Sequence, residues 1–150
     1  MNIQTSTLQR FKAALKAESL RLTPQRIAIL ADVLDSEDHR ECDDILASLK
    51  QKNIAVSRAT IYRTLDILHQ AGFIRRLDVG TGPSRYENKV AQPHHDHMIC
   101  LNCGKILEFV DMEVEARQVQ ISKDHDFQLS SHVHQLFGYC ADCRLEKAID

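Results

Sequence analysis

Residues 57–87 read SRATIYRTLDILHQAGFIRRLDVGTGPSRYE, and the fold of the N-terminal half turns on how they divide. The Ser57 hydroxyl can accept a hydrogen bond from the first free N–H groups of a helix, and Gly72 suits the left-handed residue that ends one. Between them Ile61, Leu65 and Leu68 recur at helical spacing. Ala59, Tyr62, Arg63 and Asp66 fall on the opposite side, with Thr60 flanking. Residues 73–78 and 84–87 then read as two strands joined by Gly80-Thr81-Gly82-Pro83, a hairpin.

Working back toward the N-terminus, residues 5–20 place Leu8, Phe11 and Leu15 at helical spacing. Thr23-Pro24 predicts a helix start, with Thr23 as N-cap and Pro24 at the first helical position, followed by a buried stripe of Ile27, Leu30, Val33 and Leu34. A polar link, residues 35–40, leads to a short helix over 42–52 carrying Ile45, Leu46 and Leu49. Helices followed by a hairpin form the order of a winged helix-turn-helix. The outer face of the 57–72 helix then becomes a recognition surface: arginine reaches a guanine edge or a phosphate, tyrosine touches both, and small side chains meet a thymine methyl. Arg58, Arg75, Arg76 and Arg85 would make the neighbouring wing basic. Read by itself, the same face also suits a solvated helix or a protein-binding module.

Working forward, residues 88–93 break the pattern, and residues 93–103 read PHHDHMICLNC. A second Cys-x-x-Cys follows at Cys140 and Cys143. Cys100, Cys103, Cys140 and Cys143 can supply the closed tetrahedral thiolate set that structural zinc prefers. The histidines and Asp96 offer nitrogen and oxygen donors, which suit exchangeable Zn, Fe or Mn. If residues 94–97 are extended, His95 and His97 face one way and His94 and Asp96 the other, so two separate nitrogen/oxygen sites are possible. Each needs ligands from elsewhere in the chain. Strands are expected at 98–101 and 105–109, a helix capped by Asp111 with Met112, Glu115, Val119 and Ser122 along one side, and further strand over 127–129 and 131–137. A unit of this size has too little core to stand without a metal or a partner.

Composition sets the bounds. The chain has 150 residues and a net charge of −2, which excludes a simple polycation. Residues 1–88 hold 13 Lys+Arg against 11 Asp+Glu, and residues 89–150 hold 6 against 10, so a polyanion would meet the N-terminal half. No apolar run approaches a membrane span, and the first residues lack a signal peptide's basic and apolar regions. A cytoplasmic location is expected, where paired thiols hold metal more often than they form disulfides.

Jointly and in this order, Leu22-Thr23-Pro24-Gln25-Arg26, Ala59-Thr60-Ile61-Tyr62-Arg63-Thr64-Leu65, His94-His95-Asp96-His97 running into the first Cys-x-x-Cys, and the second Cys-x-x-Cys resemble the ferric uptake regulator family of bacterial metal-dependent repressors. The resemblance covers nearly the whole chain. It implies an α+β protein: a winged-helix DNA-binding domain over 1–88, a hinge at 89–93 and a small α/β metal-binding dimerisation domain over 94–150. It implies a homodimer, with higher oligomers open, on an AT-rich double-stranded operator. Tyr62 and Arg63 match the family's recognition-helix pair, and Arg21 a basic residue placed in the minor groove; Arg58 and Thr60 complete the expected DNA face. The four cysteines match the structural zinc site. His39, Glu87, His95, His97 and Glu108 match a regulatory site that bridges the two domains, and His94, Asp96, Glu115 and His132 a further site within the dimerisation domain.

Ferrous iron is the expected regulatory metal, with zinc or manganese as alternatives. Zinc-sensing members often recruit a cysteine to the sensory site, and none lies between Cys42 and Cys100. Peroxide-sensing members place aspartate at both carboxylate positions, which here are Glu87 and Glu108. The expected function is an iron-dependent repressor of metal-uptake genes, ahead of a zinc-responsive repressor and a peroxide sensor. Outside this class stands a metal-dependent hydrolase, disfavoured because no general acid or base is left over; no enzymatic activity is expected. His69, His125 and His134 are read as surface or packing residues. Cys42 is read as packing in its helix, with its nearness to His39 leaving a weak case for a redox-sensitive thiol.

Overall fold

The structure is a computed structural model and describes residues 3–90 and 93–147. The expected hinge 89–93 therefore lies partly outside the described residues, at 91 and 92. The chain divides into two compact units, Met1–Gln92 and Pro93–Asp150.

The first unit runs α1 (Thr5–Ala17), α2 (Pro24–Leu34), α3 (Cys42–Gln51), α4 (Arg58–Gln70), β1 (Ile74–Leu77) and β2 (Arg85–Asn88). The caps are local and chemical. The Thr23 hydroxyl accepts from the Arg26 N–H, and the Ser57 hydroxyl from the Thr60 N–H. Gly72, at φ 74°, takes the left-handed turn after α4. α2, α3 and α4 pack on one another and α1 packs on α4. Phe11, Leu15, Leu30, Ile45, Leu65 and Phe73 are fully buried among them. Ile29 is also fully buried while Ile27 is only half-buried, so the inner stripe of α2 is rotated from the one expected. β1 and β2 pair antiparallel with Arg75 opposite Glu87. The loop before α3 joins this hairpin through one bridge: Arg40 N–H donates to the Tyr86 carbonyl at 3.0 Å and Tyr86 N–H to the Arg40 carbonyl at 2.8 Å.

The second unit has a three-stranded sheet in the order β4-β3-β5. β3 (Asp96–Cys100) is central, β4 (Ile106–Phe109) is antiparallel to it and β5 (Gln135–Gly138) is parallel. Parallel neighbours need a long crossover, and β4 with α5 (Met112–Asp124) supplies it. Asp111 caps α5 by accepting from the Glu113 and Val114 N–H groups. A short α6 (Ala141–Lys147), not anticipated from sequence, follows β5.

Residues 127–129 are not a strand. Asp126 turns left-handed at φ 52°, its N–H bonds the Lys123 carbonyl, and the Phe127 N–H bonds the Ser122 carbonyl. These bonds close the end of α5 and commit the Phe127 amide to it. The last strand begins only at Gln135, later than expected. α5 buries no residue, and Met112, on the side it shares with Glu115 and Val119, is 74% exposed.

Candidate metal centres and nucleic-acid face

The cysteines gather at one end of the sheet, past the C-terminal ends of the parallel β3 and β5. Cys100 closes β3 and Cys103 lies in the turn after it, while Cys140 and Cys143 follow β5. Gly104, at φ 73°, lets the turn fold back so that its N–H reaches the Cys100 carbonyl at 2.9 Å. The four sulfurs lie within 4.8 Å of one another, and none is in a disulfide. Cys103 Sγ and Cys140 Sγ are 3.7 Å apart, close to the ~3.8 Å edge of a tetrahedron built on ~2.3 Å zinc–sulfur bonds. The backbone N–H groups of Cys103 and Cys140 point at Cys100 and bring its thiol down to about 6. At Cys143 the Asn102 amide acts downward, but burial and the three other sulfurs together push the thiol up to about 12. Four thiolates this close repel one another, and a dication removes the conflict. The donor set therefore fits zinc.

A second cluster lies wholly within the same unit. His94 Nε2 and His132 Nε2 are 2.9 Å apart, and each meets Glu115 Oε1, at 3.1 and 3.2 Å. Asp96 Oδ1 is 3.5 Å from His94 Nε2 and is buried without a hydrogen-bond partner. Two imidazole nitrogens facing each other need at least one lone pair between them, and the orphaned carboxylate oxygen beside them completes a donor set that fits a divalent cation. The other Asp96 oxygen is held by His134 Nδ1 at 3.1 Å. His134 was read from sequence as a surface or packing residue; instead it orients a candidate ligand. Its position two residues after His132, on the same side of an extended segment, was the available signal.

The remaining five predicted ligands fall into two groups, one in each unit. In the first unit His39 Nε2 lies 2.8 Å from Glu87 Oε2, and Arg75 Nη1 donates to Glu87 Oε1 at 2.9 Å. The Glu87 side chain is fully buried. In the second unit His97 sits opposite Glu108 across the β3–β4 pairing, and the His95 and His97 rings are 4.8 Å apart. His95 Nε2 is 3.6 Å from Glu108 Oε1. His95 Nδ1 lies 2.9 Å from the Pro93 carbonyl; an N–H there leaves Nε2 as the donor for a metal. Both groups present nitrogen and oxygen donors and no sulfur, which fits a borderline divalent cation.

The outer face of α4 carries Tyr62, 41% exposed, and an exposed Arg63. Thr60 flanks them, Arg21 is exposed before α2, and Arg58 pairs with Asp43 at 2.8 Å. The wing is less free than its sequence suggested. Arg76 faces Asp66 at 3.6 Å and Arg85 faces Glu41 at 3.0 Å. Arg75 is committed to Glu87 rather than to a phosphate. Cys42 is 2% exposed, and burial with the nearby charge of Asp43 pushes its thiol up. A protonated, covered thiol is a packing residue and not a redox nucleophile. Among the described residues no helix is long and apolar enough to cross a membrane.

A winged helix followed in the chain by a unit built around metal donors defines a metal-responsive, DNA-binding transcription regulator. Residues 17–137 match the ferric uptake regulator family, and the chain belongs to it. The ferric uptake regulation protein of Campylobacter jejuni is 40% identical over 143 residues, 94% of this chain and 90% of that protein. The solved ferric uptake regulator of Helicobacter pylori, described as having three functional metal binding sites, is 35% identical; the match covers 95% of both chains with a TM-score of 0.81. That of Francisella tularensis, solved with iron, is 31% identical over 83% of this chain and 95% of that one, with a TM-score of 0.73.

Proposed function

We propose that this chain is a cytoplasmic, iron-dependent repressor of metal-uptake genes that binds an AT-rich operator as a homodimer. In this reading residues 1–88 bind DNA, 89–93 form the hinge and 94–150 dimerise. The cysteine quartet holds structural zinc. His39 and Glu87 act with His95, His97 and Glu108 to hold the regulatory ferrous ion, and His94, Asp96, Glu115 and His132 hold a further metal. The observation that carries the reading is the donor chemistry. Four of the five cysteines are gathered in one closed set and the fifth, Cys42, is buried in α3, which leaves purely nitrogen and oxygen donors at His39 and Glu87 and at His95, His97 and Glu108. Such a set favours neither the soft-metal chemistry of a thiolate sensor nor a permanently closed site.

Regulation follows from shared ligands. A metal held by residues of both halves biases the pair toward one arrangement, and in a dimer that arrangement sets the separation of the two α4 helices against half-sites one helical turn or a multiple apart. Moving the balance from 1:99 to 99:1 takes about 5.5 kcal/mol of differential metal affinity. Arg21, Arg58, Thr60, Tyr62 and Arg63 contact the DNA. The test is operator binding by wild-type and His95→Ala protein across a ferrous iron titration, with zinc content and circular dichroism as controls. His95→Ala is expected to lose iron-dependent binding, by about a hundredfold or more, while keeping its fold and its zinc. Wild-type iron dependence in that variant would place the regulatory metal elsewhere.

A further inference from the structure

Asp32 is a carboxylate only 3% exposed in the interior of α2, and nothing in the proposed function uses it. A buried charge in a helix is destabilising unless its surroundings are arranged for it. Here they are. Ser48 Oγ donates to Oδ1 at 2.6 Å and Lys52 Nζ at 2.5 Å. Arg40 Nη1 pairs with Oδ2 at 3.0 Å, and Arg40 Nη2 donates to the Asp32 carbonyl at 2.6 Å. Burial would raise the pKa of Asp32, but the bonds from Lys52 and Ser48 and the charge of Arg40 outweigh it and hold the group ionised.

The other end of this network is the main chain of Arg40. It exchanges both backbone hydrogen bonds with Tyr86. In an antiparallel pairing the next residues outward form the close, non-hydrogen-bonded pair, with Cα atoms ~4.5 Å apart. Those residues are His39 and Glu87, whose side chains meet at 2.8 Å. The bridge is isolated, so no further ladder holds the loop there. The guanidinium on Asp32 is what anchors it from the helical side.

We propose that Asp32, acting through Arg40, is a positioning residue that sets His39 against Glu87 for metal binding. The inference rests on the reading that His39 and Glu87 are regulatory ligands. A tethered loop has less freedom to lose when His39 is engaged, so the tether raises affinity without touching the ion. It also ties that ligand to α2 and α3, the helices that support α4.

The test uses full-length, zinc-loaded protein carrying Glu115→Ala, so that the His94 cluster does not compete, and titrates Mn²⁺ as the probe by electron paramagnetic resonance. Asp32→Asn and Arg40→Met are each expected to weaken Mn²⁺ binding about tenfold, within the range seen for residues that orient metal ligands. The double variant is expected to be no weaker than Arg40→Met, because Asp32 acts only through that arginine. Lys52→Met removes another partner of Asp32 without touching the loop; it is expected to lower thermal stability and leave Mn²⁺ affinity unchanged. Wild-type affinity in Arg40→Met, or a loss in Lys52→Met matching its fall in stability, overturns the proposal. Should Arg40→Met fail to fold, Asp32→Asn set against Lys52→Met carries the same comparison. Glu87→Ala separates the two readings. If it loses the Mn²⁺ site while Arg40→Met does not, positioning alone is wrong; if it binds as wild type, the ligand assignment is wrong.

Discussion

The two units are built on different principles. The first buries a continuous apolar core, from Phe11 and Leu15 through Leu30 and Ile45 to Leu65 and Phe73. The second buries mainly chemistry: among the described residues, Ile99 apart, its covered side chains are His95, Asp96, His97, Cys100 and Cys143. Its apolar residues face outward instead. Met98 is paired with Leu107 on one side and Leu136 on the other, so three exposed hydrophobic side chains run in a row across the sheet. One unit is held by exclusion of water, and the other is suited to being held by ligands to a cation and by a second copy of itself.

Breaking the cation should therefore break one unit and spare the other. Cys100→Ser is expected to abolish tight zinc retention and unfold the second unit, since structural zinc supplies on the order of 10 kcal/mol that is also folding energy. The helical transition of the first unit should persist in circular dichroism. The mirror experiment is Leu65→Ala, expected to cost the first unit about 3 kcal/mol in a denaturant titration through the cavity it leaves, with zinc content unchanged. A variant in which the two transitions fell together would show that the contrast is wrong.

The outward row is tested next. Leu136→Glu places a charge at the edge of the Leu107–Met98–Leu136 strip and is expected to weaken self-association at least tenfold by sedimentation, with the zinc still bound. A fourth substitution acts on the first unit's surface without touching its core. Arg63→Ala is expected to weaken operator binding by about 1–2 kcal/mol; if the residue contacts a phosphate, the loss is uniform across sequences and the salt slope falls by about one unit. An undiminished affinity would remove α4 from the interface.

The smallest effect concerns acid. The folded-state pKa of Asp32 lies below its usual 3.8. Its stabilisation is fully present at neutral pH and is lost as pH falls through that lowered value. Asp32→Asn should flatten the acid side of the first unit's stability profile below about pH 4, with the difference from wild type largest at neutral pH. A profile parallel to wild type would mean that other carboxylates carry the acid response.

What the sequence made legible was what local geometry decides. The Cys-x-x-Cys pairs announce themselves by spacing, and the split of His94 and Asp96 from His95 and His97 follows from the two-residue period of an extended chain. The caps at Thr23, Ser57 and Asp111 were equally local. His39 and Glu108 were reachable only through family resemblance, because one is brought to Glu87 by a bridge at Arg40 and the other to His97 by sheet pairing. Asp32 sits beside the buried stripe of α2, but its partners Arg40, Ser48 and Lys52 come from later segments that no periodicity links to it. Residues 127–129 alternate like a strand, yet the left-handed turn at Asp126 commits the Phe127 amide to the helix end.

The parallel pairing of β3 with β5 has a consequence in time. Cys100 is matched to Gly138 across the whole length of β4 and α5. During synthesis, N-terminal units fold first. Every strand and helix of the first unit has been made by Asn88, whereas the second sheet cannot acquire its third strand, nor Cys100 meet Cys143, until residues 135–143 have left the ribosome. A newborn copy thus has the helices of its first unit formed before the sulfurs of its zinc site have been gathered, and zinc capture follows the folding of that unit.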